Sequence, residues 1–470
     1  MGGMRKLRLL AVLLAPAIIA SPLACEDSSS SSGGTFNPEA GPGFETGPRD
    51  EAGPLREAGL EVSVPPVKKG LTVTVLDRAA PVPGIRIILH DAAGAVIGDM
   101  KTDMAGKVAV PTAPSMVTVM TELQSKGTVV YPVTYLGVAD GDNLVVNQSD
   151  DRVPPAAAGQ YNVSFGAAFP TATSYLVRVS DDCANETTNP SSPMLVDLNA
   201  SCFAPQAAVL ATARSGSGDI GFGFVKNLAK PAAIAAPQAV GPISLTAAGI
   251  TSVRGTNLPV GFTSPTAELL AIANNLGFSF EAADGTLAGS GIIFSTATGF
   301  AESYQASARA TVPGASGSDN NLAMIRRETT TAPASATLTL DFATALPAIT
   351  SATANNATAG RPTVTLASAS PLSMGDAMIV TVTFQNFAWR FVAPTTGATF
   401  QVPAVPADSG IFLPSGSASV PSVIVAESSL IAGYEEIKKL QISPALGVLL
   451  DSSRALPAAG TVRVVSWTTD

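Results

Sequence analysis

From Leu71 onward, apolar side chains fall on alternate residues in short runs, and nearly every run stops at a Gly, Pro or Asp. Leu71-Thr72-Val73-Thr74-Val75 is followed by a turn at Pro81-Val82-Pro83-Gly84, then by Ile85-Arg86-Ile87-Ile88-Leu89 and a second turn at Asp91-Ala92-Ala93-Gly94. Successive side chains of a strand point to opposite faces, so this spacing buries one face of a sheet and leaves the other in water. The punctuation persists to the end of the chain, with 42 Gly and 36 Pro among 470 residues. Long helices do not fit between breakers at that density. The expected class is therefore all-β: several β-sandwich domains in tandem, with few short helices.

Further strands are expected at Tyr161-Asn162-Val163-Ser164-Phe165, over 174–179, 195–198 and 208–213, and then at 291–294, 307–312, 336–342, 363–366, 378–384 and 461–467. Residues 265–276 place Leu269, Ile272 and Leu276 at helical spacing, and 428–440 place Tyr434, Ile437 and Leu440 on one helical face. Both are expected as helices. Residues 231–242, broken by Pro231 and Pro237, read as a linker. Trp389, alternating with Phe391 ahead of Pro394, and Trp467 read as core anchors. The resulting boundaries are 1–24, 25–66, 67–148, 149–235, 236–345 and 346–470.

The first two segments concern export. Arg5, Lys6 and Arg8 precede an apolar run over 9–20, and Ser21-Pro22-Leu23-Ala24-Cys25 follows, as in a secretory signal peptide. A cysteine at the cut, followed by Glu26-Asp27 and the serines at 28–32, resembles the lipobox of bacterial lipoproteins. The family's usual Leu three residues before the Cys is Pro22 here. The resemblance implies lipid on Cys25, which becomes the new N-terminus, and an exported protein held on the cell envelope, at the outer membrane or cell surface. The alternative is an ordinary signal peptide cut near Ala24. Residues 25–66 then form a tether in which Glu-Ala-Gly or Glu-Thr-Gly begins at Glu39, Glu45, Glu51 and Glu57. Gly and Pro at this density oppose helix and strand, and the carboxylates repel each other. About forty such residues average roughly 35 Å end to end.

The run from Leu71 to Val110, with Gly84 after the first strand and Thr102-Asp103 … Gly106 before Val108, resembles the carboxypeptidase regulatory-like domain. The first Gly of that family's turn is replaced by Arg78 or Ala79. The resemblance implies a transthyretin-like sandwich over 67–148, an accessory module without catalysis. Phe169-Pro170-Thr171-Ala172-Thr173-Ser174-Tyr175 with Cys183 and Cys202, then Trp389-Arg390-Phe391 and Ile431-Ala432-Gly433-Tyr434, resemble lipoproteins of soil myxobacteria whose motifs carry no known activity.

Charge excludes some partners. The net charge is −9, and removing Arg5, Lys6 and Arg8 with the signal gives −9 − 3 = −12. Phosphate binding needs clustered Lys and Arg, so nucleic acid is not an expected partner. With two Trp and six Tyr the chain also lacks the aromatic girdles of a membrane-spanning barrel. Three Cys leave two once Cys25 carries lipid, and Cys183 and Cys202 are expected to form a disulfide in an oxidising compartment.

Catalytic motifs are absent from the sequence. The one histidine, His90, rules out multi-His zinc patterns and is expected at a strand end facing solvent. No G-x-S-x-G elbow and no G-x-x-x-x-G-K-[ST] loop occurs, and no G-x-G-x-x-G follows a strand inside a βαβ unit. Asp181, Asp182, Asn185 and Glu186 offer oxygens for Ca²⁺, as do Asp140, Asp142 and Asn143, without the spacing of a dedicated calcium loop. No cofactor is expected. The functional expectation is a non-enzymatic, membrane-anchored lipoprotein presenting sandwiches for adhesion, scaffolding or binding of a protein or glycan. The alternative is a surface hydrolase on glycan or peptide whose carboxylates meet only in the fold. A solute-binding lipoprotein would need two α/β lobes, which the pattern lacks.

Overall fold

In the computed structural model the described residues are 69–468, leaving aside 78–79, 124–128, 131, 148–155, 182, 204, 217, 233–235, 259–261, 314–319, 330–335, 359, 440–454 and 457. They are almost entirely strands and turns, packed as sandwiches of several sheets. Residues 69–470 belong to one compact unit.

Three successive stretches close in the same way, the first strand pairing parallel with the last. Leu71–Asp77 pairs with Asn143–Asn147, Ala157–Phe165 with Gln238–Ile243, and Gly249–Thr256 with Thr337–Asp341. The second pairing corrects the linker reading of 231–242: residues 238–243 are a strand, beside Tyr161 to Phe165. Pro242 is tolerated because this strand lies at the edge of its sheet.

A twelve-stranded sheet joins the first and third of these stretches to the C-terminal strands. Its order is Leu276–Phe280, Thr263–Ala273, Ser303–Pro313, Asn320–Thr329, Thr461–Thr468, Ser419–Ser428, Ala377–Thr383, Ala388–Ala393, Val133–Leu136, Met116–Val119, Arg86–His90 and Val96–Lys101. Neighbours are antiparallel except Ala388–Ala393 against Val133–Leu136, where the C-terminal strands meet the N-terminal ones in parallel. Strands from 67–148, 236–345 and 346–470 thus share one hydrogen-bonded layer.

From Arg86–His90 across to Thr461–Thr468 that layer is buried on both faces, whereas its edge strand Val96–Lys101 is largely exposed. Val117, Val119, Val133, Tyr135, Val392 and Val464 pack with Leu71, Val73, Val75, Leu144 and Val146 of the first sheet. The alternate residues Leu136, Trp389, Phe391, Val380 and Trp467 pack with Ile349, Val364 and Leu366 of the three-stranded sheet Ile349–Asn355, Thr363–Ser368, Thr399–Gln401. The strand Ala207–Ser215 is two-faced in the same manner: Ala207, Val209 and Ala211 enter one core while Ala208 and Leu210 enter another. Continuous apolar runs are the sequence consequence of two-sided burial.

Residues 265–276 are not a helix. Thr263–Ala273 is a strand that turns at Asn274 and Asn275, both at positive φ (49° and 60°), into Leu276–Phe280. Two left-handed residues between paired strands make the type I′ hairpin turn, for which Asn is well suited. Within 428–440 the helix is confined to Gly433–Lys439, because 419–428 is already sheet. Glu435 and Glu436 open this helix and Lys438 and Lys439 close it, complementing its dipole.

The Thr102-Asp103 … Gly106 turn has a local cause. Asp103 Oδ1 accepts from the Ala105 and Lys107 amides, and Gly106 adopts φ +68° where an added Cβ would lie 2.6 Å from the Val75 carbonyl oxygen. Asp91 repeats the device, accepting from Ala93 and Ala95.

Candidate binding cleft

Where the parallel pair joins the N-terminal strands to the C-terminal ones, the ends of several strands leave a cleft of about 550 Å³. Its lining comprises Ala92 and Ala93, in the turn after His90, Thr399, Phe400 and Gln401, Met116, Leu136 and Gly137, and Pro394, Thr396 and Gly397 just after Ala388–Ala393. Every lining side chain is uncharged.

The walls are tied to each other. Arg361 donates from Nη2 to the Ala93 carbonyl (2.5 Å) and to Gln401 Oε1 (3.2 Å), and from Nε to the Val402 carbonyl. The Ala404 amide donates to the Gly94 carbonyl at 2.9 Å. Gly94, at φ +74°, is required here: a Cβ would meet Arg361 Nη2 at 2.8 Å and Pro403 Cα at 3.1 Å. Arg86 adds an ion pair to Asp408 at 2.7 Å. On another side, Tyr434 donates its hydroxyl to the Leu136 and Val392 carbonyls.

Beside the cleft a buried polar chain crosses four strands. Trp389 Nε1 donates to Thr134 Oγ1, Thr134 and Thr118 share a hydrogen bond, and Thr118 meets His90 Nε2, each at 2.8 Å. Indole N–H can only donate, so Thr134 accepts from it. The polarity that engages every hydroxyl hydrogen then runs from Thr134 to Thr118 to His90 Nε2. His90 accepts at Nε2 and carries its proton on Nδ1, an atom with no partner among the described residues. The expectation of a solvent-facing His90 is corrected: it is wholly buried, because Arg86–His90 is an interior strand covered on both faces. Burial, and then the nearby Arg361 charge, lowers its pKa to about 4, with Asp91 opposing.

Among the described residues no group of three or more His, Cys, Asp or Glu is placed to hold a metal ion, and the suggested calcium oxygens have other partners. Asp181 pairs with Arg178 and accepts from the Ser279 amide. Asn185 donates to the Leu195 carbonyl, and Glu186 accepts from Ser174 at 2.6 Å. Consecutive strand residues 185 and 186 point to opposite faces. Asp140 caps the amides of Lys69 and Gly70, Asn143 pairs in register with Thr72, and Asp142 meets Lys438. Asp182 and Cys25 lie outside the described residues, as do 1–24 and the tether 25–66. Among the described residues no helix is long and apolar enough to cross a membrane.

Cys183 and Cys202 form a disulfide between the strand Cys183–Thr187 and the short 3₁₀ turn Ala200–Cys202. Trp389 and Trp467 are buried in one core. Sequence reasoning missed Arg361 and Lys438, and placed Tyr434 on a helical face without its partners, which are remote in the chain. The one local signal is the Glu435–Lys438 spacing of a helical ion pair.

The fold and cleft define an all-β protein of interlocked sandwiches with an uncharged groove at a junction. No family model matches the chain, and no curated protein matches it. Among solved structures it is similar to "The Bacillus anthracis TIE protein", at 10% identity and a TM-score of 0.13, over 58% of this chain and 50% of that one. The match thus spans half of that structure's length, and a likeness so slight carries no functional weight.

Proposed function

We propose that this protein is a lipoprotein held on the bacterial envelope by Cys25 and the 25–66 tether, and that it binds rather than catalyses. The cleft between the first sandwich and the C-terminal sheets takes an extended, uncharged stretch of a glycan or peptide partner. The observation that carries this reading is the uncharged lining between walls already fixed to each other by Arg361, Ala404 and Tyr434. Prearranged walls spare a ligand the entropy of ordering them. Ser115, Thr363, Thr399 and Gln401 offer neutral hydrogen-bonding groups, while Met116, Leu136 and Phe400 offer apolar contact. The transthyretin-like module suggested by the sequence would then supply one wall.

Gly397 provides the test, since a Cβ there meets nothing within 4 Å. Gly397→Arg should fill the cleft with a charged side chain and leave the melting temperature unchanged. The full chain should retain fragments from envelope digests, and Gly397→Arg should lose at least tenfold of that retention. Equal retention by the variant defeats the cleft reading. Shortening of the fragments during incubation would favour the hydrolase instead. Separately, Cys25→Ser should release the protein from the membrane fraction, and unchanged sedimentation would remove the anchor.

A further inference from the structure

The side chain of Lys438 is wholly buried, and its Nζ lies 2.5 Å from Asp142 Oδ2. The carboxylate is itself almost buried, and its Oδ2 also accepts from the Ala139 amide at 2.8 Å. Glu435 Oε1 is 2.9 Å from the same nitrogen, and the Tyr434 ring centroid is 5.2 Å from it. Ile437, next to Lys438 in the chain, and Leu144 and Val138, on either side of Asp142, belong to one apolar core.

We propose that this is a self-cross-linking site, in which Lys438 and Asp142 become joined by an amide bond. In water, solvation of the separate charges favours the ion pair over the amide. A buried pair has lost that solvation, which removes the advantage of the separated charges. Transfer of one proton from Nζ gives the neutral amine and acid, already in contact. Nζ then attacks Asp142 Cγ. The Nζ–Cγ bond forms, the Cγ–Oδ2 bond breaks, and Oδ2 leaves as water with two of the three ammonium protons. No oxidant, reductant or co-reactant is consumed. The Ala139 amide polarises the carboxyl, and Glu435 relays protons from nitrogen to the departing oxygen, a general acid–base role that suits its more exposed carboxylate.

The bond would tie the loop behind Leu136 and Gly137 to the helix Gly433–Lys439 covalently, so that this wall of the cleft could not part from the C-terminal strands. It is independent of what the cleft binds.

The test is mass spectrometry of the full folded chain with its disulfide reduced. The intact mass should fall one water short of that given by the mature sequence, and a digest should contain a peptide spanning residue 142 linked to one spanning residue 438. Asp142→Ala and Lys438→Ala should each show the full mass. Because either could disturb folding, Glu435→Gln is the sharper variant: it should fold with the wild-type circular dichroism spectrum and gain the link at least tenfold more slowly. A folded wild-type chain at full mass, with no linked peptide after prolonged incubation, overturns the proposal. So does a Glu435→Gln chain that links at the wild-type rate.

Discussion

Burying a lone histidine makes one residue a reporter of the whole fold. His90 can accept Thr118's hydroxyl hydrogen only while Nε2 is unprotonated, and its pKa is lowered from the ordinary 6.5 to about 4, by burial first and the Arg361 charge second. Between those values the unfolded chain takes up a proton that the folded chain refuses. Stability from this group is therefore complete above pH 6.5, falls as the pH drops towards 4, and is level below it. The drop should reach about 3 kcal/mol, from 1.36 kcal/mol per pKa unit. Carboxylates also titrate in the lower half of that window, so urea midpoints are compared between wild type and His90→Gln. The difference between the two should shrink with falling pH, and a constant difference would refute the buried neutral imidazole. Sequence could place His90 at a strand end but not inside the molecule, because its hydrogen-bond partner Thr118 and the Thr134 and Trp389 that continue the chain from it are remote in sequence. Trp389 and Trp467 were legible as core anchors because their size and their alternating apolar neighbours left little other place for them.

Single elements were readable where one face of a strand meets water, and misleading where neither does. The alternation in Leu71-Thr72-Val73-Thr74-Val75 matches burial residue by residue, and in Met194–Asn199 only Leu195 breaks the match, an apolar side chain on the exposed face. In Thr263–Ala273 the run Leu269-Leu270-Ala271-Ile272-Ala273 is buried throughout, so apolar residues occupy every spacing at once, the helical one included. The Asn274-Asn275 pair, suited to the left-handed turn of a hairpin, is the feature that separates strand from helix here. The cleft shows the same divide: the turn at 91–95 is written in five consecutive residues, whereas Arg361 reaches Ala93 across 268 positions. The disulfide is an element-scale device of a different kind. It joins residues 19 apart, and a loop of that size should contribute about 3 kcal/mol by restricting the unfolded chain. Cys183→Ser with Cys202→Ser should lower the stability of an otherwise unchanged fold by that amount. Reductant should then have no further effect, and a double variant as stable as wild type would show that the bridge is not closed.

At the scale of the molecule, the sandwiches are not separable beads, because the same strands serve two cores. Val117, Val119, Val133 and Tyr135 face the sheet of Leu71–Asp77, while Met116 and Leu136, one residue away in each strand, face the core of Trp389 and Phe391. Cutting after residue 148 would expose the second face and strip Val133–Leu136 of its parallel partner Ala388–Ala393. Each large apolar side chain returned to water costs about 1.5–3 kcal/mol, and a small sandwich has only about 5–15 kcal/mol to lose. A fragment of residues 67–148 should therefore retain strand content in far-ultraviolet circular dichroism but lose fixed tertiary packing. It should bind the dye ANS and show no sharp thermal transition, while residues 69–470 unfold in one. The amides of 116–119 and 133–136 should exchange fastest relative to the intact chain, since they lie in the strands that lose a covered face. A fragment that melted sharply at the temperature of the whole would mean that the second face is a surface and not a core, and the cleft beside it would then be a seam between independent bodies rather than a site built into one.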